Sequence, residues 1–277
     1  MSRFAICVAL AASALTCSLT VQAAGVLSPL SLEAASAGTG MTGNWFKIDD
    51  NAKISDVMYT EPGPGGVTQA IKAFSWGTGI WSVQDLAAAT NPANGWIQAT
   101  ATTTSAVSFA NHTYNGLVPS YGTWVQDMDR PLVPASMGET NFVGLFSGFL
   151  YVEKAGVFDF GVFGDDGFVL TLTGAGGSAT PLVKEGVLNS PGRELLTMQD
   201  MTLGAGYYGI SLDFFNRLES GVIDLVWRPV GGDWQTIESG DLHASLPPNG
   251  VPEPGSLILV VVALASLWAM RRHAFSR

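Results

Sequence analysis

The sequence predicts an all-β chain folded as an antiparallel β-sandwich. Short runs of aromatic and β-branched residues recur along it, separated by turns rich in glycine, proline and serine. Apolar and polar residues alternate within several of these runs, which is the period of a half-buried strand. A helical pattern occurs only weakly, over Ser82 to Ala89. Many short strands without helical crossovers are typical of a sandwich.

The clearest strand is GYYGISLDFF, residues 206 to 215. Its alternation places Tyr208, Ile210, Leu212 and Phe214 on one face. Further strands are predicted at 157–163, 222–227 and 234–237. The first of these puts its aromatic residues on one side in the same way. The glycine-, serine- and proline-rich stretch between Gly174 and Gly192 is predicted to be a long hairpin connection.

The first 23 residues have the pattern of an export signal. Arg3 precedes an apolar core, and Val21 and Ala23 supply the small residues that a signal peptidase accepts. A buried helix of the folded domain is the alternative interpretation. We expect the mature chain to begin near Ala24.

The C-terminal stretch, residues 251 to 277, combines three features. A Pro-Glu-Pro triplet is followed by an uncharged apolar run from Gly255 to Met270 and then by clustered arginines. The run would form a helix of about 24 Å, which is short for a hydrocarbon core of ~30 Å. The order resembles a PEP-CTERM sorting tail. This resemblance implies transient membrane insertion, cleavage by an exosortase and export through the inner membrane of a Gram-negative bacterium. An ordinary C-terminal anchor is the alternative.

The chain is acidic, with 13 basic and 23 acidic residues and a net charge of −10. Leaving out the two terminal segments removes four basic residues and one acidic residue, so 9 basic and 22 acidic residues give −13. Such a surface repels nucleic acid and anionic lipid, and it suits divalent cations and neutral polymers. Both cysteines, Cys7 and Cys17, lie in the export signal, so we expect no disulfide in the mature domain.

Two adjacent aspartates are conspicuous in a chain so poor in charge. Asp165 and Asp166 lie between Gly164 and Gly167, at the tip of a predicted β-hairpin. Asp and Gly are ordinary turn residues, so turn formation alone is one interpretation of the aspartate pair. Neighbouring carboxylates also repel each other, and a divalent cation between them relieves that repulsion.

The order of motifs resembles the protective-antigen-type β-sandwich domain found in flocculins, epithelial adhesins and many glycosidases. The matching stretches are 40–46, 146–150, 155–160, the Asp-Asp-Gly turn, 170–174 and 203–210. The resemblance spans most of residues 38 to 243 and is strongest from Phe146 to Trp227.

In lectin members of that family, a cis peptide bond joins the two aspartates and both bind one calcium ion. An asparagine and main-chain carbonyls of a later loop complete the site. The resemblance therefore implies calcium ligands at Asp165, Asp166 and Asn216 and at the carbonyls of Leu218 and Ser220. Calcium takes about six to eight oxygens, so positions remain for vicinal sugar hydroxyls. Ser220 lacks the large side chain that some lectin members carry, which leaves the sugar preference open.

Other candidate sites are weaker. His112 and His243 lack metal-ligand spacing and are expected at the surface. The sequence contains no motif of a nucleophilic hydrolase, zinc protease or phosphate-binding loop. Directly adjacent aspartates are also badly placed to flank a glycosidic bond from opposite sides. We therefore expect no enzymatic activity, and a hydrolase is the least favoured hypothesis.

The chain is thus predicted to contain an export signal (1–23), a leader segment (24–37), the sandwich (38–245), a linker (246–250) and the sorting tail (251–277). The leading hypothesis is a secreted or envelope-associated, calcium-dependent carbohydrate-binding or adhesive module of the extracellular polysaccharide matrix. The alternative is a structural matrix protein without a specific ligand, in which the aspartate pair only forms a turn.

Overall fold

Strands dominate the computed structural model, which describes residues 25–33, 36–111, 132–186, 194–218 and 221–247, without the side chain of Trp76. The predicted export signal and sorting tail lie outside these ranges, as does His112. Within the described ranges, no helix has both the length and the apolar character needed to cross a membrane.

The strands and helical segments follow one another along the described chain. The strands are β1 (Val26–Leu27), β2 (Met41–Ile48), β3 (Met58–Pro62), β4 (Thr68–Lys72), β5 (Ile97–Ser105), β6 (Ser108–Ala110), β7 (Phe142–Val152), β8 (Gly156–Asp165), β9 (Gly167–Gly174), β10 (Gly177–Ser178), β11 (Leu182–Lys184), β12 (Glu194–Leu203), β13 (Gly206–Asn216), β14 (Val222–Pro229), β15 (Gln235–Thr236) and β16 (Leu242–His243). The α-helix α1 is Leu86–Ala89, and 3-10 turns lie at Pro64–Gly66, Ala73–Trp76, Val83–Asp85, Pro92–Asn94 and Ala135–Met137.

Two sheets form the sandwich, as the sequence predicts. In the described residues, the six-stranded sheet has the order β1-β12-β8-β14-β15, with β6 beside β14. The eight-stranded sheet has the order β10-β9-β13-β7-β2-β5, with β11 beside β9 and β16 beside β7. Antiparallel ladders join the strands, except that β1 runs parallel to β12. Strands β10 and β11 lie inside the connection predicted between Gly174 and Gly192, and both pair with β9. The predicted hairpin is wrong there, because β12 lies in the other sheet and pairs with β8.

The main core lies between the two sheets. Tyr208, Ile210, Leu212 and Phe214 all point into it, which confirms the face assigned from their alternation. Trp45 of β2 is fully buried in the same core. The opposite face of β13 therefore points away from the core, onto the outer face of the eight-stranded sheet.

A second, smaller core covers one end of that outer face. Ile48, Ile80 and Leu86 pack there with Val143 and Phe215 of the sheet. The chain between β2 and β5 supplies most of this layer, so the insertion between two adjacent strands folds back over the sheet that they belong to.

The short helix predicted within Ser82 to Ala89 is part of this layer. Ser82 and Asp85 form a capping box, in which each side chain accepts a hydrogen bond from the other residue's backbone N–H. The 3-10 turn then continues into α1, whose buried residues Leu86 and Ala89 face the second core.

The N-terminal segment, residues 28–31, covers the other end of the outer face. The N–H of Leu30 donates to the carbonyl of Tyr207 at 2.7 Å. Beneath this segment, the rings of Tyr207 and His243 lie 5.0 Å apart, and His243 is only 4% exposed. The predicted surface position of His243 is therefore wrong. The residues that cover His243 are distant in sequence, so local pattern gave no sign of its burial.

Candidate functional site

Asp165 and Asp166 lie where the chain passes from one sheet to the other. Asp165 ends β8 in the six-stranded sheet, and Gly167 begins β9 in the eight-stranded sheet. The predicted hairpin is therefore wrong, since β8 pairs with β12 and β14 while β9 pairs with β13 and β11. Turn residues and alternation look the same at a hairpin and at a corner between sheets. The bond joining the two aspartates is cis.

The chain crosses between the sheets a second time beside this corner. Strand β13 ends at Asn216, and β14 begins at Val222 in the other sheet. Phe215 pairs with Gly167 in one sheet, and Val222 pairs with Asp165 in the other. Because the register is fixed on both sides, the second crossing has to lie against the aspartate pair.

Asp166 is held by the loop that follows β13. Its side chain is 6% exposed, and its N–H donates to the carbonyl of Phe215 at 3.1 Å. Its Oδ2 accepts a hydrogen bond of 2.6 Å from the N–H of Arg217, and Leu218 donates a further backbone N–H. Burial raises the pKa of Asp166 above its ordinary value, and the hydrogen bonds that its carboxylate accepts from Arg217 and Leu218 oppose that rise.

Asn216 is fully buried, and its amide orientation is fixed. Its Nδ2 donates to the carbonyl of Glu139 at 2.7 Å, and Asn111 donates to the same carbonyl at 3.1 Å. Gly221 makes this packing possible, because a Cβ there would lie 2.7 Å from Cγ of Asn216. Sequence reasoning did not place Asn111, Glu139 or Gly221 at this site, since their positions around Asn216 depend on how the strands and loops pack.

Lys184 is a cationic neighbour that sequence reasoning also missed. This β11 residue is 3% exposed, and its Nζ donates to the main-chain carbonyl of Asp166. Burial lowers the pKa of Lys184, while the charges of Asp165, Asp166 and Glu194 oppose that change. The alternation of Leu182 and Lys184 in a short strand was the available signal, since it places the lysine on the buried face.

Arg217 connects the site to the layer over the eight-stranded sheet. Its guanidinium lies 5.2 Å from the ring centre of Trp81. Burial lowers the pKa of Arg217, and the negative charges of Asp50 and Asp166 oppose this. The loop after β13 is therefore held at Asp166 by its backbone and at Trp81 by a side chain.

The structure brings together four of the five predicted ligand residues: Asp165, Asp166, Asn216 and Leu218. Ser220 lies outside the described residues. Carboxylate, amide and carbonyl oxygens are the donors that calcium prefers, so the residue types fit this ion. Across the described ranges no group of three or more His, Cys, Asp and Glu side chains could hold a metal. A cation here would therefore depend on neutral oxygens beside the two carboxylates.

Comparisons with known proteins give distant structural likenesses. No protein-family model and no curated protein matches the chain. The epithelial adhesin 6 A domain of Candida glabrata, solved with Galβ1-3GlcNAc, is 17% identical with a TM-score of 0.45, covering 82% of this chain and 95% of its own. A PA14 sugar-binding domain from an RTX adhesin is 18% identical with a TM-score of 0.43, over 75% and 99%. The PA14 domain of an antifreeze protein is 15% identical with a TM-score of 0.42, over 79% and 98%.

Proposed function

We propose that this chain is an exported carbohydrate-binding or adhesive module that holds a glycan through a calcium ion at the aspartate pair. The observation that carries this proposal is the meeting of the two sheet crossings. The first crossing carries two adjacent carboxylates, and the loop of the second crossing contacts Asp166 through the backbone N–H groups of Arg217 and Leu218, next to Asn216. The register of both sheets thereby fixes the two loops against each other, and the proposal assigns oxygens of both loops to one cation.

The residues of the proposed site divide into a rigid and an open side. Asp166 and Asn216 are buried and held by backbone hydrogen bonds. Asp165 is half-buried, and Leu218 is 43% exposed. A cation would therefore be held from within, while a ligand would approach from the solvent side. Calcium, when bound, would supply open coordination positions for vicinal hydroxyls of a sugar.

The proposal places the mature protein outside the cell, in an extracellular polysaccharide matrix. Signal peptidase and an exosortase would process its two ends, as the sequence patterns suggest. The acidic composition supports a divalent cation and a neutral glycan as partners and disfavours nucleic acid. Asp165 and Asp166 are consecutive residues, so their carboxylates are badly placed to flank a glycosidic bond from opposite sides. This supports a binding role rather than glycoside hydrolysis.

Calorimetric titration of the metal-free protein with calcium tests the site. We expect saturable binding in the wild type and none in Asp166→Ala. Asp233→Asn is the matched control, because Asp233 is an exposed carboxylate outside the strands. A glycan array with and without chelator then tests the sugar. Calcium binding without any chelator-sensitive glycan signal would contradict the carbohydrate part of the proposal.

The alternative function is a structural matrix protein without a specific ligand. The contacts of Asp166 favour this alternative, because backbone N–H groups and the ammonium of Lys184 already surround it. In that case the backbone donors and Lys184 already satisfy Asp166, and the aspartate pair only forms the turn. Absence of calcium binding in the titration, with a wild-type fold, would favour this alternative.

A further inference from the structure

The middle of the outer face of the eight-stranded sheet lies between its two covered ends. The second core covers one end, and the N-terminal segment above Tyr207 covers the other. Gly209, Ser211 and Asp213 of β13 point outward between these covers, since they alternate with core residues. Each of these three residues is paired with residues on the neighbouring strands, which gives three rows of positions across the sheet. We call these three rows the open strip.

A row of hydroxyl side chains crosses five strands of the open strip. The ladders place Ser211 between Thr171 and Ser147, and they place Thr42 between Ser147 and Thr104. Neighbouring strands lie about 4.8 Å apart, so the row extends over roughly 19 Å. Ser147 and Thr104 are exposed, and the other three are half-buried.

A groove of about 420 Å³ opens beside this row. Gly209 pairs with Phe149 on one side and with Thr173 on the other, so its missing side chain leaves space between them. Leu30 of the N-terminal segment and Ser147 also line the groove. It therefore combines an aromatic ring and an aliphatic side chain with hydroxyl groups.

These surface groups complement a neutral polyol. A hydroxyl both donates and accepts hydrogen bonds, so it can pair with sugar hydroxyls in either direction. Apolar side chains beside a few polar groups are typical of small-ligand sites. The paired positions of the open strip include one carboxylate, Asp213, and no lysine or arginine. This charge pattern suits a neutral ligand and disfavours a polyanion.

We propose that the open strip binds a neutral polysaccharide that lies across the strands, at a second site that needs no calcium. Between the open strip and the aspartate pair lies Phe215, which pairs with Gly167 and is buried in the second core. The two sites are therefore separated by a covered part of the sheet. This proposal does not depend on calcium binding at Asp165 and Asp166.

Native affinity electrophoresis with EDTA present tests the proposal. The probes are dextran, hydroxyethyl cellulose and galactomannan, each cast into the gel. We expect at least one polymer to retard the wild type, and we expect Ser147→Glu to weaken that retardation by about tenfold, because the added charge interrupts the hydroxyl row. The control is Thr202→Glu, which changes an exposed hydroxyl residue on β12 of the other sheet. Retardation should be unchanged in this control and in Asp166→Ala.

Gly209→Ala gives a second and milder test. The added Cβ would lie 3.4 Å from Cβ of Thr173 and 3.6 Å from Cδ1 of Leu30, which are ordinary contacts. This variant should fold and partly fill the groove, so its retardation should also fall. If Ser147→Glu does not fold by circular dichroism, Gly209→Ala decides the question.

Three results would overturn the proposal. The first is no retardation of the wild type by any of the three polymers. The second is equal retardation of the folded variants and the control. The third is a wild-type dimer in sedimentation that Ser147→Glu dissociates, since the open strip would then be a contact between copies of this chain.

Discussion

The ammonium of Lys184 donates a hydrogen bond to the main-chain carbonyl of Asp166, at the corner where the chain changes sheets. The protein thus provides a positive charge of its own beside the two carboxylates that are proposed to bind calcium. Lys184 and the ion would both favour ionised aspartates, and they would repel each other.

Lys184→Met should therefore make the protein more responsive to calcium. The calcium-free variant should be less stable, because it leaves a buried carbonyl without its donor and removes the compensating charge, at a cost of about 1–3 kcal/mol. The rise in melting temperature on adding calcium should exceed that of the wild type. Thermal melts with EDTA and with millimolar calcium measure both effects. An equal or smaller calcium response would show that the lysine does not compete with the ion.

Asp166→Ala should remove the stabilisation by calcium. A ligand that binds only the folded form adds about 2.7 kcal/mol at a hundredfold excess over its Kd. Thermal melts of the wild type and of Asp233→Asn should shift upward with calcium, and those of Asp166→Ala should not. Identical shifts in all three proteins would place the bound calcium elsewhere.

Gly221→Ala should destabilise the fold and the site together. The new Cβ would lie 2.7 Å from Cγ of the fully buried Asn216, whose amide is fixed on Glu139. We expect a loss of about 1–3 kcal/mol in urea unfolding, as for other overpacked positions. Gly240→Ala is the control, since a Cβ at Gly240 meets no atom within 4 Å. Equal stability of the two variants would mean that the loop after β13 adjusts freely.

His243 should make the stability depend on pH. Burial lowers its pKa, and the nearby charge of Asp241 opposes this change. The unfolded chain therefore binds a proton at a higher pH than the folded protein does. The free energy of unfolding should fall as the pH drops below about 6.5, and it should be restored as the pH rises.

His243→Phe isolates this contribution, because an aromatic ring can still pack against Tyr151 and Tyr207. The difference in unfolding free energy between the two proteins should shift in favour of the variant as the pH falls from 7.5 to 5. Urea titrations across that range measure it. Parallel pH profiles would contradict a depressed pKa for His243.

The sequence predicted the strands better than their connections. The alternation of Tyr208, Ile210, Leu212 and Phe214 depends only on the two-residue period of a strand, so it holds in any sandwich. The prediction of a hairpin at the aspartate corner is wrong because the residues of the turn do not determine whether the next strand joins the same sheet or the other one. Sheet membership depends on pairing with β12, β14 and β13, which are distant in sequence.

The residues of the candidate site also differ in whether a local pattern predicts them. Asp165, Asp166 and Asn216 were found because they match a motif order. Lys184 and Gly221 were missed, since their roles arise from close approach of β11 and the loop after β13. The burial of Lys184 and the space that Gly221 leaves for Asn216 depend on how the assembled sheets pack, so no local sequence pattern predicts them.

The two loops that hold the aspartate pair are also links between the sheets. A ligand anchored there would transmit tension to β8 and β14 on one side and to β9 and β13 on the other. The load on an adhesive contact would thus enter both layers at the same point. Resistance to mechanical detachment would then depend on the cohesion of the whole sandwich, since neither layer could be pulled without the other.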